Sequence, residues 1–151
     1  MEDTRQMLDL MELDDIYFLK LSVDRANNSD DSDLDSGPRL DHEIFSRHDP
    51  SAMSVRVRTV LEATDANYEI DVVADYRSAT PFEASEEIRR DFIERVAIMA
   101  IWPYMRMAVS DLAARMKTEA ITLGLFRVGD IQLGEVTEAD PYEAVPATPG
   151  H

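Results

Sequence analysis

The chain has 151 residues, 44% of them hydrophobic, and its 31 acidic residues against 15 Lys and Arg give a net charge of −16. That length suits one domain with a single real core, and that charge repels nucleic acid and anionic lipid while suiting partners that carry basic segments. Cysteine is absent, which removes disulfides, thiolate metal sites and cysteine nucleophiles and fits a reducing, cytoplasmic setting.

Residues 1–9 read as a mobile acidic start. Met1-Glu2-Asp3-Thr4 lacks the positive and apolar regions of a secretory leader. No apolar run approaches the roughly 20 residues that span a bilayer. From Leu10 to Asp24 the pattern is that of a strand, with Tyr17, Leu19, Leu21 and Val23 on one face and Ile16, Phe18, Lys20 and Ser22 on the other. Ala26 to Pro38 is rich in Asn, Asp, Ser and Gly and reads as loop. Arg39 to Ser46 makes a short strand whose inward candidates are Leu40, His42 and Ile44 or Phe45.

Ser54 to Thr64 alternates Val55, Val57, Thr59, Leu61 and Ala63 against Arg56, Arg58 and Glu62. After the turn at Asp65-Ala66-Asn67, residues 67–77 alternate Tyr68, Ile70, Val72, Ala74 and Tyr76 against Glu69, Asp71, Asp75 and Arg77. Two alternating runs joined by a tight turn predict an antiparallel hairpin. Ser85 is an N-cap candidate, with Glu86 and Glu87 in the first turn. Ile88, Phe92, Val96 and Met99 begin an apolar stripe, and Met105, Val109, Leu112 and Met116 continue it beyond Pro103. The spacing predicts one long helix over 85–116, kinked at Pro103. Residues 121–126 are short, extended and apolar, and the Pro- and Glu-containing end reads as a flexible acidic tail. The whole is an α+β chain, a four-stranded antiparallel sheet packed on one long Pro-kinked helix, with one domain over 1–136 and a tail over 137–151.

Chemistry-bearing patterns are sparse. Asp31, Asp33 and Asp35 with Gly37 imitate a calcium loop, but counting from Asp31 puts Ser36 at the glycine position and His42 at the bidentate glutamate position. His42 and His48 fall roughly 20 Å apart on an extended strand, too far to share a metal. No serine stands in a nucleophile-elbow setting and no glycine-rich phosphate loop is present. No catalytic residue, metal site or cofactor is therefore expected, and a binding protein is favoured over an enzyme. The side chains suited to binding are Tyr17, Phe18, Tyr76, Phe82, Trp102 and Tyr104, which are expected to line a groove between sheet and helix. Beside them stand the adaptable methionines Met99, Met105, Met107 and Met116.

The Trp102-Pro103-Tyr104-Met105-Arg106 turn inside a long amphipathic run resembles the Phe-Pro-Tyr-x-Arg segment in the long helix of the SecB family of protein-export chaperones. The block Ile16-Tyr17-Phe18-Leu19-Lys20-Leu21-Ser22-Val23-Asp24-Arg25-Ala26-Asn27 resembles that family's first strand. The resemblance extends over roughly Met11 to Val136. It implies a holdase that binds unfolded or extended polypeptides without ATP, in the cytoplasm, as a homotetramer built from two dimers. Its partners would include the translocase motor SecA or, in dedicated members, an antitoxin of a toxin–antitoxin–chaperone module. By the same resemblance Asp24 and Asp75 stand at or near acidic SecA-docking positions. Lys20 departs from the pattern, since the family often has an acid there. A peptide-binding interaction module of the same fold that is no chaperone is the alternative.

Overall fold

The computed structural model describes residues 3–28 and 38–118 and, as backbone, 136–138. Its elements are α1 (Thr4–Leu10), β1 (Met11–Arg25), β2 (Arg39–Asp49), β3 (Ala52–Glu62), β4 (Ala66–Ser78), α2 (Glu86–Phe92), a π-helical turn (Ile93–Ala97), α3 (Ile98–Met116) and β5 (Val136–Glu138). Most of the expected loop over 26–38, the extended segment over 121–126 and most of the tail lie outside the described residues.

The four strands expected from the alternation form an antiparallel sheet in the order β1-β4-β3-β2, and β5 adds three residues at the β2 edge. β5 runs parallel to β2 and pairs Val136–Glu138 with Ile44–Ser46, which draws Thr137 and Glu138 from the expected tail into the sheet. The β3–β4 ladder sets Val55 opposite Ala74, Val57 opposite Val72, Thr59 opposite Ile70 and Leu61 opposite Tyr68. Those residues face the helix, and all are at most 2% exposed. On β2 the helix-facing set is Leu40, His42, Ile44 and Ser46, so Phe45 points away, under the Arg56 guanidinium.

β1 departs from the expected alternation. The ladder to β4 slips between Leu13 and Asp15 and again between Phe18 and Lys20. Each slip is a β-bulge, which leaves one residue unpaired and inverts the sidedness of the strand beyond it. Ile16, Phe18, Leu21 and Val23 therefore share the helix side, opposite Ala74, Val72, Ile70 and Tyr68, while Tyr17, Lys20 and Ser22 face away. Strict alternation had joined Tyr17 with Leu21 and Phe18 with Lys20; the extra residue at Leu19 exchanges the partners.

The first nine residues are a second correction. Thr4–Leu10 is a helix, capped by the Asp3 carboxylate accepting from the Gln6 N–H at 2.8 Å. Thr4 Oγ1 donates to Asp91 at 2.5 Å, and Met7 is 0% exposed. A cap residue followed three positions later by Gln is a helix-start signal that the run contained. The acidic composition outweighed it because one buried methionine cannot reveal itself without its tertiary neighbours.

The long helix starts at the Ser85 cap, whose hydroxyl accepts from the Ile88 N–H at 3.2 Å. Through the π turn the Ile98 N–H reaches back five residues to the Ile93 carbonyl. The wider turn rotates the rest of the helix, so Phe92, Ile93, Ala97, Ile98, Ile101, Trp102 and Met105 are all buried, whereas Val96 and Met99 of the expected stripe sit at its margin. Helix continues through Pro103, which is exposed. It ends at Lys117 with φ 53°, and Arg25 Nη2 donates to the Met116 carbonyl at 2.5 Å.

The face turned away from the helix holds charge. Arg56 and Asp71, 5% and 3% exposed, form a two-bond ion pair, with Arg56 Nε 2.8 Å from Asp71 Oδ1. Arg58 bridges Glu43 at 2.9 Å and Glu69 at 2.6 Å. Removing one member of a buried pair strands the other charge. Asp71→Asn is expected to lower the unfolding free energy by about 3–5 kcal/mol, and an Arg56→Met/Asp71→Leu double variant to recover most of it, both read from urea denaturation.

Candidate functional site

The sheet and helix together leave apolar surface along one edge. Leu21 is 49% exposed and Tyr104 38%. Phe18 lies half-buried between them and the core, its ring centroid 6.4 Å from that of Tyr104. The Arg25 contact to the Met116 carbonyl fixes the far end. The helix segment 104–116 therefore runs beside the strand segment 18–25. The result is a furrow with Phe18 at its floor, Tyr104 on the helix wall and Leu21 on the strand side. Leu13, 48% exposed, extends the stripe toward the start of β1. Among the described residues β1 is also an edge strand. Asp111 is exposed on the helix side of this furrow and pairs with Arg115 at 3.1 Å, whereas Asp24, next to Val23 in the ladder, is exposed on the other face of the sheet.

The six aromatics expected in a groove go to several places. Phe18 and Tyr104 meet in the furrow. Tyr76 is 4% exposed and packs edge-on against Phe92, with centroids 5.1 Å apart. Burial pushes its hydroxyl up to about 12, and that hydroxyl has no hydrogen-bond partner among the described residues. Trp102 is 7% exposed and lies 5.9 Å from the His42 ring. Tyr17 occupies the other face of the sheet. Phe82 lies in the connection between β4 and α2, its N–H donating to the Pro50 carbonyl at 2.8 Å. The two acids are also apart. Asp24 pairs with Asn67 and Asp75 with Asp15 along the same ladder, eight residues or roughly 27 Å at the strand rise. Asp75 is half-buried and accepts from Ser54 Oγ at 2.5 Å, whereas Asp24 is exposed. Leu13 and Leu21 are the furrow residues that the sequence reading missed. The bulges hid their sidedness, and no local signal in the sequence marks a bulge at Leu19.

No group of His, Asp or Glu suited to hold a metal ion occurs among the described residues. The titratable groups with shifted affinity serve the fold. Glu69 is held below the usual carboxylate range: burial opposes this, and hydrogen bonds from Lys20 and Arg58 outweigh it. Asp91 is lowered chiefly by the Thr4 hydroxyl, with Arg95 adding to it. His42, whose Nδ1 is 2.8 Å from Thr59 Oγ1, is lowered from 6.5 by burial against the pull of Asp41.

A lowered histidine favours the neutral ring in the folded state. Its contribution to stability is complete above pH 6.5 and is lost as pH falls from 6.5 toward the depressed folded value. Glu69 and Asp91 lose theirs in a separate window, below their ordinary values of 4.5 and 3.8. The melting temperature is therefore expected to drop between pH 7.5 and 5.5, and His42→Gln to flatten that interval without changing the loss below pH 4.5.

No protein-family model matches the chain. The SecB-like chaperone SmegB of Mycolicibacterium smegmatis is 25% identical over 134 residues, covering 89% of this chain and 88% of the relative. Among solved structures, the Mycobacterium tuberculosis Rv1957 SecB-like chaperone, in complex with a ChAD peptide from the Rv1956 HigA1 antitoxin, superposes with a TM-score of 0.70 at 19% identity, over 82% of this chain and 96% of that one. A protein of unknown function from Streptococcus agalactiae matches with a TM-score of 0.51 at 8% identity, over 76% of this chain and 96% of its own. In its fold and over most of its sequence, the chain is similar to the SecB-like chaperones.

Proposed function

We propose that this chain is a holdase that binds extended, non-native polypeptide segments without nucleotide, in the cytoplasm, as in preprotein export or the protection of an antitoxin. The observation that carries the reading is the exposed pair Leu21 and Tyr104 beside the half-buried Phe18. Covering it removes apolar area from water, at about 1.5–3 kcal/mol per fully buried large side chain. The edge of β1 offers main-chain hydrogen bonds to an extended segment alongside. Nothing in this scheme uses a catalytic group.

The same surface bears on the choice of partner. The antitoxin peptide held by the Mycobacterium tuberculosis neighbour supports a client of that kind. It equally supports the narrower reading, a module that binds one peptide and is no general chaperone. For the docking of a SecA-type motor at Asp24 and Asp75, the exposure of Asp24 supports the reading better than Asp75, which is half-buried and accepts from Ser54. We assign the assembly as a homotetramer, a dimer of dimers, because helix surface such as Met107 at 57% exposure gains cover from another copy.

Leu21→Ser/Tyr104→Ser changes two exposed side chains. The variant is expected to melt close to wild type and to lose at least about tenfold in affinity for an unfolded client, read as aggregation suppression. A folded wild type that suppresses aggregation of no client, an antitoxin included, overturns the chaperone reading. Suppression for one partner alone favours the dedicated module. Light scattering is expected to give the mass of four chains, and a monomer at micromolar concentration contradicts the assembly.

A further inference from the structure

The two margins of the antiparallel sheet hold α3 through side chains that stand two residues apart. Trp102 lies edge-on to the His42 ring, centroids 5.9 Å apart, and the Tyr104 ring lies 6.4 Å from that of Phe18. Successive helical residues turn by about 100°, so these two side chains leave the helix in nearly opposite directions. The strand order β1-β4-β3-β2 puts their receivers at the two sides of the helix, His42 on β2 and Phe18 on β1. Pro103 stands between the two, exposed. A rotation of α3 that lifts Trp102 from β2 therefore moves Tyr104 against β1, and the furrow changes with it.

The seat of Trp102 is the one that can take a charge. His42 Nδ1 is 2.8 Å from Thr59 Oγ1 on β3, and Trp102 is 7% exposed. A neutral imidazole has one donor and one acceptor, whereas a protonated one has two donors and a charge. The charged groups near the ring, among the described residues, come from three elements. On β2 the next residue is Asp41, which partly offsets the effect of burial. On α3, Arg106 follows Trp102 by one turn and is half-buried. β5 brings Glu138 into register with Ser46, four residues from His42, roughly 13 Å along the strand. β3 presents Val57, Thr59 and Leu61 on this face, none of them charged.

We propose that His42 is a positioning residue for the furrow: its neutral ring seats Trp102 and, across Pro103, sets Tyr104 beside Phe18, so that protonating His42 weakens the hold on a bound polypeptide. The inference rests on the polypeptide-binding reading above and names a control on that same site. A charge placed inside a buried aromatic contact is drawn toward water, which unseats Trp102. His42 acts through Trp102 and Tyr104, from the opposite margin of the sheet.

The test uses the full chain and the amidated peptide Lys-Leu-Phe-Val-Tyr-Leu-Lys, labelled at its amino end with rhodamine, whose side chains do not titrate near neutral pH. Anisotropy is read between pH 7.5 and 5.5, around the ordinary histidine value of 6.5, at a temperature where circular dichroism shows the chain folded throughout. Wild type is expected to lose about fivefold in affinity over that interval. Trp102 is the single tryptophan, so its emission reports the seat and is expected to change over the same interval. His42→Gln, a neutral side chain that still offers Thr59 a hydrogen bond, is expected to flatten both profiles. Tyr104→Ser is expected to keep the emission change and to lose the pH dependence of its weaker binding. His48→Gln is expected to leave both profiles as they are. Equal wild-type binding at both ends of the interval overturns the positioning role and leaves the furrow standing. An unaltered fall in His42→Gln assigns the dependence to another group and overturns the proposal, as does an unaltered fall in Tyr104→Ser. A wild type that binds the peptide at neither pH overturns the polypeptide-binding reading, and the proposal with it.

Discussion

One helix has to cover one face of a four-stranded sheet, and it is too narrow to do so. A helix with its side chains is about 10 Å across, while four strands extend about 15 Å between their outer axes. The contacts of α2 and α3 show how the width is spent. Phe92 meets Tyr76 on β4, Trp102 reaches His42 on β2, and Tyr104 comes down beside Phe18 on β1. Beneath the helix Val72 and Ile70 are 0% and 1% exposed; at the β1 margin Leu21 remains 49% exposed. The π turn makes the crossing possible, because it rotates the apolar stripe by the extra residue needed to keep Phe92 and Trp102 both pointing inward. The furrow is thus a consequence of how the core is closed.

The other face is organised by charge. Arg56 with Asp71, and Arg58 with Glu43 and Glu69, tie β2, β3 and β4 together at fixed register. A shift of one residue would strand these charges on the apolar side. Lys20 belongs to the same set, its Nζ 2.7 Å from Glu69. Half-exposed as it is, that pair adds little stability. It does give Lys20 a partner on its own sheet at the position where an acid is usual in the resembling family.

The net charge of −16 and the apolar edge are linked. A protein that leaves leucines and aromatics open to water needs like charge between copies to stay dispersed. Asp111, exposed beside the furrow, adds acidic charge at its margin. Burial is indifferent to sequence beyond size, and electrostatics adds a preference at little cost in burial.

Local chemistry was enough for much of this fold. Alternation in Val55 to Leu61 and Tyr68 to Tyr76 fixed the central hairpin and its sidedness, because a strand buried on one face must repeat every two residues. Ser85 with Glu86 and Glu87 marked the helix start, since cap and dipole effects act within one turn. Other features depended on tertiary contact. α1 exists because Met7 finds a buried place and Thr4 finds Asp91, neither visible from an acidic run of nine residues. The bulge at Leu19 moved Leu21 beside Phe18 and turned Tyr17 away, because one unpaired residue inverts a period of two. Tyr76 and Trp102 went to the core and Tyr104 to the rim according to where a single helix crosses the sheet. Residue type alone made all of them aromatic candidates; only the packing of helix on sheet decided which of them water reaches.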